Sequence, residues 1–256
     1  MKKIFSLKRR AALSEELGLV NNDTPFAIRE ALESLYTNII YLSIEDKCKK
    51  IALTSAFSGE GKSSLSANLA ISIAGNSEEK KVLLVDMDLR SAGLTENFAI
   101  DRTVHGLTEY IAGVDEQPNF IHMPEHKLTL LSAGAPTVKP QKIISSARMA
   151  SFLEECSSKF DYIIIDTPPV NIVSDALLLH DKINGYIVVT RADYSDINET
   201  RECINALERV NAEIFGIVLT SLKLKSSGGG LKNSKSKYSK YSKYSKYSKY
   251  AEKYMN

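Results

Sequence analysis

Residues 56–64 read AFSGEGKSS, an A-x4-G-K-S pattern that follows the run KIALTSA at 50–56. Gly59 and Gly61 free the backbone to turn N–H groups toward phosphate oxygens. Lys62 can reach the outer phosphates, and the Ser63 hydroxyl suits magnesium. Ser58, Gly59, Glu60, Gly61, Lys62, Ser63 and Ser64 are therefore expected to cradle ATP with Mg2+, with Ala56 where glycine is usual. VDMDLR, at 85–90, puts Asp86 and Asp88 on one side of an extended backbone, with Arg90 next. Two such carboxylates can hold magnesium and draw the proton from an attacking hydroxyl. YIIIDTPP, at 162–169, closes an apolar run with Asp166, the place of a carboxylate that holds magnesium, often through water. The expected metal group is Ser63, Asp86 and Asp166, and the expected catalytic group is Lys62, Asp86 and Asp88. Taken singly, the three stretches have plainer readings: a glycine-rich turn, a solvated acidic turn, and an aspartate capping an Asp-Thr-Pro turn. Together they make a nucleotide site, and they leave open where the γ-phosphoryl group goes.

Such a site needs strands that end at one edge. Five β-branched runs, at 50–56, 81–88, 162–169, 185–192 and 214–222, are almost continuously apolar, as strands buried on both faces are, and LTLLSAG at 128–134 is a candidate sixth. Helices are predicted between them over Lys62–Ala74, Gly106–Ala112, Lys142–Ser158 and Asp196–Val210. Another is predicted over 25–42, with Thr24 as its cap and Pro25 in its first turn. Strand alternating with helix implies an α/β fold, a doubly wound, mostly parallel sheet with ligands at the carboxyl ends of its strands.

A chain of 256 residues, 43% hydrophobic, supports one sizeable core. The expected division is a basic N-terminal stretch at 1–24, a P-loop domain at 25–225, and a linker and tyrosine-rich tail at 226–256. Cys48, Cys156 and Cys203 are odd in number and far apart, which argues against a disulfide framework or a zinc site and for a reducing cytoplasm. MKKIFSLKRR lacks the apolar stretch of a signal peptide, and no run reaches the roughly eighteen apolar residues of a membrane span. Of the four histidines, His122 and His126 alone have metal-like spacing, but Met-Pro lies between them and a surface loop is expected. Arg191 and Asp193, after the fourth of these runs, are candidates either to approach the nucleotide base or to form a plain loop.

The tail carries an unusual repeat. KYSKYSKYSKYSKY, at 237–250, sets a tyrosine at every third position, a period that suits neither an α-helix nor a strand. With so few apolar groups it cannot offset its ordering entropy, and disorder is expected. Residues 232–256 hold eight lysines and one glutamate, or +7, and the formal +2 of the chain minus +7 leaves −5 for the rest. Six phosphotyrosines would add roughly −9 to −12. At about 3.3 Å per residue the chain from Gly228 to Tyr250 spans up to about 70 Å, enough to enter a neighbouring molecule.

AFSGEGKSS, LLVDMDLRSAGL and YIIIDTPPV, followed by clustered tyrosines, resemble the cytoplasmic bacterial tyrosine kinases that regulate capsule and exopolysaccharide synthesis. The likeness extends over about residues 25–222 and the tail. It implies ATP-dependent autophosphorylation in trans within a ring-like oligomer. It also implies activation by the cytoplasmic segment of a membrane-bound chain-length regulator, reversal by a phosphotyrosine phosphatase, and a place in the cytoplasm on the inner face of the membrane. Lys62 and Ser63 fall on the family's Walker A pair, Asp86 and Asp88 on its second acidic motif, and Asp166 on its Walker B acid. Either Asp86 or Asp88 is the base for a phenol whose unperturbed pKa is ~10. The implied acceptors are Tyr238, Tyr241, Tyr244, Tyr247, Tyr250 and Tyr254. Tyr36, Tyr41, Tyr110, Tyr162, Tyr186 and Tyr194 are expected to be packing residues instead.

One motif departs from the family. Its E-x2-R-x2-R is met here by Glu30, Glu33 and Tyr36, so both arginines that join subunits are replaced, and Arg29 is a conjectural substitute. Two other readings exist. One is a nonkinase ATPase of the same fold, such as those that position septa or plasmids, which would carry a lysine at the place of Phe57. The other is a basic tail that binds anionic lipid or nucleic acid. Nucleic acid is not the expected partner.

Overall fold

Seven short strands line up in one sheet because most of their residues can be buried on both faces. The computed structural model describes residues 19–21, 24–42, 44–76 and 79–222. The chain divides into two units, Met1–Thr220 and Ser221–Asn256, of which the first carries the fold. Its strands are β1 (Lys49–Ser55), β2 (Val82–Asp86), β3 (Ile121–Met123), β4 (Leu128–Leu131), β5 (Tyr162–Asp166), β6 (Gly185–Arg191) and β7 (Ile214–Thr220). They run in the order β3-β4-β2-β5-β1-β6-β7, parallel throughout except for the antiparallel pair β3/β4. The expected α/β architecture is present, with β4 as its sixth strand and β3 in addition.

The pleat sends neighbouring residues to opposite faces. Ala52, Leu83, Val85, Ile163, Ile165 and Val188 join one core. Ile51, Leu53, Leu84, Ile164, Ile187 and Val189 join the other. Helices α1 (Phe26–Ile40) and α2 (Lys62–Gly75) cover the second face through Leu32, Ile39, Leu69 and Ile73. On the first face, α4 (Leu107–Ala112), α6 (Ala147–Ser157) and α7 (Ile197–Glu208) contribute Leu107, Phe152 and Leu207. Two one-turn helices, α3 (Gly93–Asn97) and α5 (Pro140–Ile144), are the other α-helices among the described residues. The three cysteines belong to the cores. Burial pushes Cys48 up to about 11 and Cys156 and Cys203 up to about 12, so the thiols stay neutral.

Several local expectations need correction. Lys142–Ser158 is not one helix, because Ser146 caps a new one by accepting from Met149 N at 3.1 Å and leaves α5 and α6 separate. Thr24 does not cap α1. Its hydroxyl accepts from Asn21 N at 2.9 Å, and Pro25 takes the cap position without a side-chain bond. The far end of α1 is closed by Lys49 Nζ, which donates to the carbonyls of Ile39, Ile40 and Leu42. His122 lies on β3 opposite Thr129, while His126 ends a 3-10 turn begun by Pro124. Three residues are too few to show a strand's alternation in sequence. Tyr110, Tyr162 and Tyr186 are buried and Tyr36 is half-buried, as packing residues are, but Tyr41 and Tyr194 are 78% and 58% exposed.

Candidate active site

The carboxyl ends of β1, β2 and β5 bring the three sequence motifs together. Asp86 and Asp166 are register partners on adjacent strands, and Asp166 also faces Leu53 of β1, three residues before the P-loop begins. Residues 56–61 then turn into α2, whose first turn holds Lys62, Ser63 and Ser64. Gly59 has φ +79 and Gly61 φ +92, in the left-handed region that glycine adopts readily. A Cβ on Gly59 would also lie 3.3 Å from the Tyr194 hydroxyl. The turn therefore delivers successive backbone N–H groups and the positive end of α2 to one place.

Glu60 belongs to this loop through its backbone alone. Its carboxylate is buried, accepts from Phe57 N at 2.8 Å, and is bonded on its other oxygen by the Ser195 hydroxyl. The Phe57 N–H is thereby engaged inside the protein. Lys62 is buried, and its charge holds the Asp166 carboxylate down.

The aspartates differ in their surroundings. Asp86 is fully buried and accepts three hydrogen bonds: from Thr95 N at 2.7 Å and Thr95 Oγ1 at 2.6 Å on Oδ2, and from Asp88 N at 3.1 Å on Oδ1. Burial first, then the adjacent Asp166 charge, pushes its carboxyl well above the ordinary range. Asp166 is also raised by burial, against the opposing effects of the Ser63 hydroxyl, the Lys62 charge and Ser66, whose Oγ donates to Oδ1 at 3.1 Å. Asp88 is half-buried, and one of its oxygens accepts from Ser91 N at 3.0 Å. Lone-pair counting separates the two candidate bases: Asp86 has one acceptor position left, whereas Asp88 keeps about three.

Arg90 does not enter this cluster. Its guanidinium forms a two-pronged pair with Asp175, at 2.7 and 3.2 Å, and Asp175 is itself buried. Arg102 holds the same loop from another side by donating to the carbonyls of Leu89, Arg90 and Gly134, each at 3.2 Å. Two guanidiniums thus fix the segment that carries Asp88. Neither Asp175 nor Arg102 had a sequence signal, because each lies in a loop with no motif around it. Asp175→Ala is expected to lower stability by about 1–3 kcal/mol and to loosen this segment, read by urea unfolding and by hydrogen exchange at residues 87–92. Unchanged exchange there would remove the clamping role.

Arg191 closes β6, and Asp193 lies in the turn that follows it. Asp193 adopts φ +59, and the Arg191 guanidinium donates to Gly59 O at 3.0 Å, so Arg191 contacts the P-loop backbone itself. The six tail tyrosines lie outside the described residues.

The hard oxygen donors fit magnesium held together with a nucleotide. The Ser63 hydroxyl sits on the Asp166 carboxylate, and magnesium ordinarily takes one or two protein ligands, water and phosphate oxygens. Among the described residues, no group of three or more His, Cys, Asp or Glu side chains is arranged to hold a metal alone.

Comparison with known proteins agrees with this assembly. Residues 47–242 match the family described as ParA, NUBPL iron-transfer P-loop NTPase. The chain is 32% identical over 196 residues to tyrosine-protein kinase CpsD of Streptococcus agalactiae serotype III, covering 75% of this chain and 82% of that protein. It is 30% identical over 211 residues to tyrosine-protein kinase YwqD of Bacillus subtilis, covering 82% and 88%. Among solved structures, the kinase domain of Escherichia coli tyrosine kinase Etk superposes with a TM-score of 0.72 at 28% identity, with 80% of each chain covered.

Proposed function

This chain belongs to the bacterial protein-tyrosine kinases, and on that premise we propose that it moves the γ-phosphoryl group of ATP onto tyrosine hydroxyls, those of its own C-terminal cluster first. The observation that carries the reading is the register pair Asp86 and Asp166 beside the P-loop, with the less buried Asp88 tied to Asp86 through its backbone N–H. A phenol must give up its proton as the new O–P bond forms and the bond from the γ-phosphorus to the bridging oxygen of ADP breaks. Asp88 takes that proton, because it has free lone pairs and a path to solvent. Lys62 and the loop N–H groups neutralise the phosphates. Ser63, Asp166 and Asp86 are the residues that would hold magnesium. When bound, magnesium offsets charge on the transferring phosphoryl oxygens.

Asp88→Asn is expected to slow autophosphorylation about 100-fold with nucleotide affinity little changed. A rate like that of the unsubstituted chain would remove Asp88 as the base. The activity itself is tested by incubating the full chain with MgATP, with and without the cytoplasmic segment of a membrane-bound activator, and reading intact mass and phosphotyrosine positions. ATP hydrolysis without any phosphotyrosine would sink the kinase reading and leave the nonkinase ATPase. That rival is disfavoured by phenylalanine at position 57. An iron-transfer role is disfavoured by the cysteines, all buried with neutral thiols.

The regulatory setting follows from the same membership: control of capsule or exopolysaccharide synthesis, a cognate phosphatase, and a cytoplasmic place at the membrane through the activator. Among the described residues no helix is long and apolar enough to cross a membrane. Self-association must use contacts other than the missing arginines. Glu33 accepts from Asn76 Nδ2 at 3.1 Å, Tyr36 packs against the core, and the Arg29 Nε is buried without a hydrogen-bond partner among the described residues.

A further inference from the structure

Three successive carbonyls of the P-loop are each held from outside. Ser58 O accepts from the Tyr194 hydroxyl at 3.2 Å, Gly59 O from the Arg191 guanidinium at 3.0 Å, and Glu60 O from Thr220 Oγ1 at 2.8 Å. The donors come from the ends of β6 and β7 and the turn after β6, while the loop belongs to β1 and α2. In a trans peptide the C=O and the following N–H point in opposite directions. Drawing these three carbonyls toward β6 and β7 therefore turns the N–H groups of Gly59, Glu60 and Gly61 the other way. Among the described residues, none of those three N–H groups donates a hydrogen bond within the protein. Cation–π contact holds the clamp together, with the Arg191 guanidinium 5.3 Å from the Tyr194 ring centre.

We propose that Tyr194, Arg191 and Thr220 are positioning residues for nucleotide binding, which hold the P-loop carbonyls outward so that the N–H groups of Gly59, Glu60 and Gly61 face the phosphates before ATP arrives. The proposal rests on the nucleotide reading of the P-loop given above. Without the clamp, each peptide plane is free to rotate, and part of the binding energy goes into ordering the loop. Its loss weakens nucleotide binding rather than phosphoryl transfer from the bound state.

The test uses the full chain and Tyr194→Phe, Thr220→Val and the double variant. Each removes one hydroxyl without altering charge, so long-range attraction for the nucleotide is untouched. MgADP binding by calorimetry is expected to weaken about 5-fold for each single change and about 25-fold for the pair, the equivalent of about one neutral hydrogen bond apiece. KM for ATP in autophosphorylation is expected to rise in step while kcat stays as it was, and Thr220→Ser is expected to restore both. A double variant that binds MgADP like the unsubstituted chain overturns the clamp, as does a fall in kcat with KM unchanged. If Thr220→Val does not fold, Tyr194→Phe decides alone, since that ring is exposed. Failure of the unsubstituted chain to bind MgADP overturns the nucleotide site and the clamp with it, which separates the two failures.

Discussion

Lys62→Met is expected to cut autophosphorylation about 1000-fold while leaving the chain folded. The side chain stands at the first residue of α2, buried, with its charge acting on Asp166. Methionine keeps the length and the apolar stem, so the packing of α2 against the sheet survives. What it removes is a preplaced positive charge where the outer phosphates must lie and where charge spreads over the phosphoryl oxygens during transfer. A lost electrostatic group of this kind typically costs 100- to 1000-fold in rate, and phosphoryl transfer depends on positioning and charge more than on covalent chemistry. The measurement is phosphotyrosine per chain against time by intact mass, with near-ultraviolet dichroism to confirm the fold. A rate within a few-fold of the unsubstituted chain would show that Lys62 does not serve the transferred group.

Deleting residues 237–256 is expected to remove nearly all incorporated phosphate and to leave MgADP affinity unchanged. The deletion takes away Tyr238, Tyr241, Tyr244, Tyr247, Tyr250 and Tyr254, whereas the strand that reaches the P-loop ends at Thr220. Mixing the shortened, active chain with full-length Lys62→Met separates the two halves of the reaction. Phosphate on the inactive full-length chain reports transfer between molecules. Phosphate retained at comparable levels on the shortened chain would mean that tyrosines of the folded domain are the acceptors, and Tyr41 and Tyr194 are the exposed ones to examine.

The nucleotide site was legible because its parts are local. AFSGEGKSS is a continuous turn whose glycines are read from the residue type, and Asp86 and Asp166 each close an apolar run. Their pairing across β2 and β5 is not legible, because sequence points to a shared sheet edge but does not say which strands are neighbours. The supports were not legible, because they are nonlocal: Asp175 is 85 residues from Arg90 and Tyr194 is 136 from Ser58. Single side chains in loops leave no period to detect. The split between α5 and α6 is hidden in the sequence for a different reason. Apolar spacing continues through Ser145 and Ser146, and only the cap made by the Ser146 hydroxyl reveals the break. The proposal of Asp88 over Asp86 as base rests on the Thr95 contacts, since two aspartates in one motif look alike until their hydrogen bonds are counted.

The place of β1 in the sheet has a consequence for synthesis. It lies between β5 and β6, and the last contact on its loop comes from Thr220, 160 positions after Glu60. A ribosome releases the P-loop well before any strand that flanks it, so the loop emerges early and is completed late. A stalled nascent chain ending before Ile214 should fail to retain nucleotide, and one carrying β7 free of the exit tunnel should hold it. The tyrosine repeat at 237–250 is translated soon after β7 ends at Thr220, so the site and its proposed acceptors emerge within a short interval of synthesis.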